Sequence, residues 1–182
     1  MPRLFTGIEI PSQVAQTLSM ARGGIPGGRW IDPQNYHVTM RFIGDVDDAV
    51  AHEVASMLGR VKRSAFEVRV DGITSFGGKK PRAIVATVAP SQALLEAQAE
   101  QERMMQRIGL DPEGRKYTPH ITLARLRDVS PHDVADYLSA RGYFPPLSIK
   151  VSRFALFSSR ASVGGGPYIV EASYPLMASA AA

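Results

Sequence analysis

The chain is written twice, and this duplication restricts its possible folds more than any other feature of the 182 residues. Arg3 to Ile10 reads as a strand, followed by Pro11-Ser12-Gln13 and a helical stretch to about residue 22. Arg82 to Ala89 reads the same way, followed by Pro90-Ser91-Gln92 and a helical stretch to about residue 108. Proline and serine suit a helix start, where free N–H groups need acceptors and proline has none to satisfy. The second part of each unit also repeats. His37-Val38-Thr39-Met40 leads through Asp45-Val46 into a predicted helix over about 48–62. His120-Ile121-Thr122-Leu123 leads through Asp128-Val129 into one over about 131–140, opened by Ser130-Pro131-His132-Asp133. After each helix comes a strand, Phe66 to Val70 and Leu147 to Val151, and each runs on to a similar close at Phe76 and Phe157. A last strand, Tyr168 to Tyr174, mirrors Arg82 to Ala89.

The copies are offset by 79 residues at the Pro-Ser-Gln and by 83 at the histidines. That period is too long for a solenoid, and two copies are too few. The pattern predicts an α+β fold of two β-α-β-α-β modules related by a pseudo-two-fold axis. Antiparallel-rich sheets would face a central cleft, in a single bilobal domain over residues 1–176. Loops rich in glycine and proline fall at 23–28, 77–81 and 164–167, and residues 177–182 read as a frayed tail.

Each half carries a histidine followed two residues later by a threonine. Alternate residues of a strand share a face. His37 and Thr39 therefore point one way, and Val38, Met40 and Phe42 are expected in the core. His120 and Thr122 pair likewise, with Ile121 and Leu123 behind them. Each strand offers an imidazole and a hydroxyl, roughly 7 Å apart along the backbone, to the same space. Two histidines flanking one phosphorus can perform a single in-line displacement: one activates the incoming oxygen, the other protonates the leaving oxygen. Threonine hydroxyls can donate to the non-bridging oxygens, and the scheme needs no metal or other cofactor. The other two histidines, His52 and His132, fall on predicted helices and read as solvated.

Other chemistries fit less well. There is no cysteine, so thiolate catalysis, disulfides and cysteine metal sites are excluded. A metal site usually needs three convergent ligands, and the motifs hold two histidines without an acid. No Gly-x-Ser-x-Gly elbow accompanies the serines. Gly164-Gly165-Gly166 lacks the Lys-Ser/Thr of a phosphate-binding loop. No long apolar run or signal-like segment stands in the sequence, which suits a cytoplasmic protein without a membrane partner. The formal charge of +4 favours a polyanion such as RNA, or a nucleotide. Lys79-Lys80, Arg115-Lys116 and Arg125/Arg127 are candidate RNA contacts. Strict alternation puts Arg125 on the face opposite His120, so only a bulge or a strand end would bring it round.

At these residues the sequence resembles the two-histidine (2H) phosphoesterase superfamily, and more closely the LigT/ThpR-type RNA 2′,3′-cyclic phosphodiesterases. The matching segments are Arg3-Leu4-Phe5, Tyr36 to Val46, Pro119 to Arg125, and the closing stretch Tyr168 to Leu176. Methionine at 40 and isoleucine at 43 replace the usual leucines, at positions expected in the core. The resemblance implies the bilobal fold with the phosphate held between its lobes. It implies hydrolysis of an RNA 2′,3′-cyclic phosphate end to a 2′-phosphate, and possible 2′–5′ ligation as the same chemistry reversed; the oligomeric state is left open, with a monomer as the default. By position, His37 would be the proton donor and His120 the acceptor. Thr39 and Thr122 would hold the phosphoryl oxygens, and Arg125 would contact the substrate. The competing readings are another activity of the superfamily, on 2′–5′ oligoadenylate or a cyclic nucleotide, and a non-catalytic RNA- or nucleotide-binding module.

Overall fold

A computed structural model describes residues 3–141, 143–159 and 166–178. Its strands are β1 Arg3–Glu9, β2 Gly28–Trp30, β3 His37–Asp45, β4 Phe66–Phe76, β5 Ala83–Val88, β6 His120–Leu126, β7 Leu147–Val151, β8 Arg153–Ser159 and β9 Tyr168–Pro175. Its helices are α1 Ser12–Ser19, α2 Asp48–Leu58, α3 Gln92–Arg107 and α4 Pro131–Arg141. Three of the helix starts are capped as their sequences suggest. Asp47 accepts from the Val50 N–H at 2.8 Å, Ser91 from Leu94 at 3.2 Å and Ser130 from Asp133 at 3.1 Å.

The strands form one antiparallel sheet in the order β7-β4-β5-β6-β3-β1-β8-β9, with β2 added beside β6. The two halves meet where β3 pairs with β6, through the single register pair Val38–Ile121. These two residues are equivalents in the sequence repeat, so the pseudo-two-fold axis runs through their contact. A second self-equivalent contact joins β4 to β7, centred on Val68–Ile149. Only Ser152 separates β7 from β8. Because β7 holds β4 while β8 holds β1, the chain itself links one end of the pairing path back to the strand beside β1.

Alternation decides what each strand buries. Val38, Ile121 and Leu123 are fully enclosed, and Met40 nearly so, against the apolar faces of the helices. Leu94 and Met105 of α3, Val54 and Leu58 of α2, Leu18 of α1 and Val134 of α4 belong to the same cluster. Burying one such side chain is worth about 1.5–3 kcal/mol. This packing fixes the opposite faces of β3 and β6, which carry the histidines, toward the cleft.

Four features differ from the sequence reading. β2 begins at the end of the 23–28 loop and has no counterpart in the sequence reading; the strand is three residues long, too short for periodicity to reveal, and it pairs with the edge of β6. α2 stops at Leu58 rather than near 62, just before Gly59. β4 runs unbroken over both segments that read as a strand and its close. β9 mirrors β5 in sequence but lies at the sheet edge, whereas β5 is covered by a strand on each side. In the tail, Met177 is held by backbone hydrogen bonds to Arg63 and Ala65, so the chain is ordered to that point. Residues 179–182 and Gly164-Gly165 lie outside the described residues. No helix among the described residues is long and apolar enough to cross a membrane.

Candidate active site

His37 opens β3 and His120 opens β6, and the two imidazoles are held by the same device. The Nδ1 of His37 lies 2.9 Å from the carbonyl oxygen of Asn35, and that of His120 lies 2.7 Å from the carbonyl oxygen of Thr118. A carbonyl only accepts, so each Nδ1 carries a hydrogen and each neutral ring presents an Nε2 lone pair. On His37 this Nε2 accepts from the Thr39 hydroxyl at 3.0 Å. The aromatic supports cross between modules. Phe76, at the end of β4, packs edge-on against His120 with ring centroids 4.8 Å apart. Phe157, its repeat equivalent on β8, lies 5.8 Å from His37. His37 is further enclosed by Phe5 at 4.9 Å and by the edge of Tyr168 at 5.0 Å.

Two β-bulges at equivalent positions complete the site. In β3 the register passes from Thr39–Gly7 to Arg41–Thr6, leaving Met40 as the extra residue. In β6 it passes from Thr122–Val85 to Ala124–Ile84, leaving Leu123 extra. After each bulge the facing inverts, since an added residue shifts a period of two by one. Arg125 thereby joins His120 and Thr122 on the cleft face. Phe42, expected in the core, joins His37 and Thr39 and is 50% exposed. The backbone groups disturbed by the first bulge have side-chain partners, as buried polar groups require. The Arg41 N–H donates to Thr6 Oγ1 at 3.0 Å, and the Tyr117 hydroxyl donates to the Thr39 carbonyl at 2.8 Å. Thr6 in turn donates to Gln101 Oε1 at 2.5 Å. The buried Arg41 side chain pairs with Glu102 and donates to the Asp111 carbonyl at 2.5 Å, tying β3 to the segment after α3.

The cleft is a cavity of about 390 Å³ lined by both His-Thr pairs, by Phe5, Phe42, Phe76 and Tyr168, and by Arg3, Arg82, Arg115 and Arg125. No carboxylate stands in this lining. Arg3 pairs with Asp45 outside it at 3.3 Å. A concave site lined by cations concentrates anions. The same surroundings act on the imidazoles. Burial pushes His37 down to about 4, and the neighbouring His120 and Arg125 add to this against the opposing pull of the Asn35 carbonyl. Burial also lowers His120, with Arg82 and Arg125 acting in the same direction and the Thr118 carbonyl against it.

The half-buried His37 makes stability depend on pH. Unfolded, its imidazole takes up a proton near 6.5; folded, it stays neutral down to about 4. Between those values the unfolded chain binds more protons, so stability rises with pH through this window and is lost on acidification. Its contribution approaches about 1.4 kcal/mol per pH unit for one full proton. Urea unfolding at pH 4.5 and pH 7 should show this slope in the wild type and a shallower one in His37→Gln. An unchanged slope in the variant would remove His37 as its source.

The structure brings His37, Thr39, His120, Thr122 and Arg125 into one cavity. His52 and His132 are exposed on α2 and α4, as expected. Among the basic clusters, Arg115 and Arg125 line the cavity, while Lys79, Lys80 and Arg127 do not. Sequence reasoning missed Arg82, Phe5, Phe157 and Tyr168. Phe76 and Phe157 are visible as matched strand closes, but nothing in the repeat indicates that each serves the other module's histidine.

A family model described as LigT-like phosphoesterase matches residues 8–86 and again 85–168, once along each module. An RNA 2′,3′-cyclic phosphodiesterase of Thermotoga maritima is 30% identical over 177 residues, covering 92% of each chain. One of Aeropyrum pernix is 32% identical over 111 residues, which are 60% of this chain and 62% of that one. Among solved structures, TT0787 of Thermus thermophilus superposes with a TM-score of 0.79 at 22% identity, over 97% of this chain and 99% of that one. E. coli LigT complexed with 3′-AMP superposes with a TM-score of 0.75 at 24% identity, over 97% and 99%.

Proposed function

The chain belongs to the LigT-like phosphoesterase family, and on that premise we propose that it is a metal-independent phosphodiesterase that opens RNA 2′,3′-cyclic phosphate ends to 2′-phosphates. The observation that carries this reading is the convergence of two His-Thr pairs, each imidazole in the same tautomer, in a cavity lined by arginines. One charge-bearing cavity flanked by two proton carriers matches a reaction at a single anionic phosphorus.

In the proposed reaction His120 Nε2 takes a proton from water as the water oxygen bonds to phosphorus. The bond from phosphorus to O3′ breaks in line, and His37 Nε2 delivers its proton to that oxygen. The Thr39 and Thr122 hydroxyls and the Arg125 guanidinium hold the non-bridging oxygens, where negative charge is concentrated. The product keeps its phosphate on O2′. With a ribose hydroxyl in place of water, the same steps give a 2′–5′ linkage. The donor must be charged before it acts, and the free site holds His37 neutral at pH 7. The bound phosphodiester anion supplies the attraction that charges it. A second reading exchanges the two roles: burial keeps His37 neutral down to about 4 in the free site, which is the state a base needs.

The test is incubation with 2′,3′-cyclic mononucleotides and a cyclic-ended RNA in EDTA, with chromatography separating 2′- from 3′-phosphates. Turnover to the 2′-phosphate at an undiminished rate is expected, because side chains supply both proton transfers and the charge stabilisation. Failure to open any cyclic phosphate would overturn the reading, and a need for added Mg²⁺ or Zn²⁺ would make it a metal-assisted reaction.

A further inference from the structure

The catalytic cavity does not end at His120. A second chamber of about 340 Å³ adjoins it and shares Thr39, Phe42, Phe76, Arg82, Arg115 and His120 with it. Beyond that shared wall it is lined by Gln98 of α3 and by Lys116, Tyr117 and Glu113 of the segment leading into β6. Two segments that are equivalent in the repeat differ beside it. Before β3, residues 28–30 are drawn in as β2 and hydrogen-bonded to β6. Before β6, no strand forms over 108–119. That segment is instead pinned at a few points, by Arg41 at the Asp111 carbonyl, by Glu102 at the Glu113 N–H at 2.9 Å, and by Tyr117 at Thr39. It stands off β3, and the space between them is the chamber.

The chemistry of the walls identifies what would fill it. Among the described residues, Arg82, Arg115 and Lys116 make no ion pair, whereas Arg3, Arg41, Arg63 and Arg153 each have an acidic partner. Arg82 also lies over the Phe76 ring, 5.9 Å from its centroid. Phe42 offers a half-exposed ring on the wall shared by the two cavities. Unpaired cations beside an open aromatic face are what a single-stranded nucleic acid needs: cations for a phosphodiester and a ring for a base.

We propose that this chamber is a subsite for a second nucleotide, the 5′ neighbour of the reacting end. Arg82, Arg115 and Lys116 hold its linking phosphodiester, and Phe42 takes its base. This rests on the RNA-end reading above and adds to it that the enzyme distinguishes an RNA end from a free cyclic nucleotide.

Calorimetry with two product-type ligands tests this without turnover: a nucleoside 2′-phosphate and a dinucleotide ending in a 2′-phosphate. The dinucleotide should bind about tenfold tighter or more, as one stacked base and one held phosphate imply. Lys116 lies outside the catalytic cavity. Lys116→Ala should therefore leave the mononucleotide Kd unchanged and lower the dinucleotide preference several-fold, with a shallower salt dependence. Phe42→Ala should remove most of the preference. Equal affinity for the two ligands would overturn the proposal, as would a preference that both variants retain. It would also fall if a free nucleoside added to a cyclic mononucleotide gave transfer product that Lys116→Ala abolished while the dinucleotide gained nothing, since the chamber would then serve an incoming group. Each of these outcomes is separate from whether a cyclic mononucleotide is opened, which tests the parent reading alone.

Discussion

His37→Ala lowers kcat/KM on a 2′,3′-cyclic nucleotide by roughly 10²–10⁴ and regains much of that loss on a nitrophenyl phosphodiester, while His120→Ala loses a similar factor on both substrates. The asymmetry comes from the leaving group. A ribose oxygen needs a proton as it departs, and a nitrophenolate does not. Water must be activated whichever group leaves, so loss of the base is not rescued. The diester should be small enough to enter the cleft between the two histidines. Stopped assays at matched pH with both substrates give the four ratios required. Rescue of His120→Ala instead would exchange the two roles, as the electrostatics of the free site suggest, and leave the two-histidine mechanism intact. Rescue of neither variant would mean that the imidazoles do not act as a proton donor and acceptor pair.

Thr39→Val and Thr122→Val each lower kcat by on the order of 10²–10³, the usual cost of losing one donor aimed at developing charge. Valine keeps the branched shape and removes the hydroxyl, so thermal unfolding should change little. Thr39→Ser should retain most of the rate, because the hydroxyl rather than the methyl carries the effect. The two positions are not interchangeable. Thr39 donates to His37 Nε2 before substrate arrives and must turn to the phosphate, so Thr39→Val also alters the proton affinity of His37. An NMR titration of His37 should move in Thr39→Val and stay fixed in Thr122→Val. Wild-type rates in both variants would direct the hydroxyls to some other task.

The duplication is legible because both copies keep their punctuation: Pro-Ser-Gln before a helix, His-x-Thr in a strand, aspartate before the next helix. It carries the elements, the pairing of modules and the four cleft residues that precede the bulges. It fails one residue later in each strand. A bulge leaves no mark in the alternation of apolar residues, since Met40 and Leu123 are as apolar as core residues should be. Alternation therefore puts Phe42 in the core and Arg125 on the wrong face, conditional on a bulge that the structure contains. The partners that stabilise the first bulge are distant in sequence, with Thr6, Gln101 and Tyr117 all far from Arg41. Pairing of that range is set by the tertiary fold. Arg82 escapes notice for a different reason: it differs from a solvated surface arginine only by the cavity it faces.

The crossing of Phe76 and Phe157 between modules bears on how such a molecule can originate. One module alone would hold an unsupported histidine and half a site, but two copies in an isologous dimer would supply each other's missing phenylalanine across the dyad. In that dimer both imidazoles would be identical by symmetry, and neither could be adjusted without the other. Joining the copies in one polypeptide lifts that restriction. Here Phe5 and Tyr168 gather round His37, and Arg82 acts on His120. Two equivalent imidazoles on one polypeptide can thus stand in different surroundings, as His37 and His120 do.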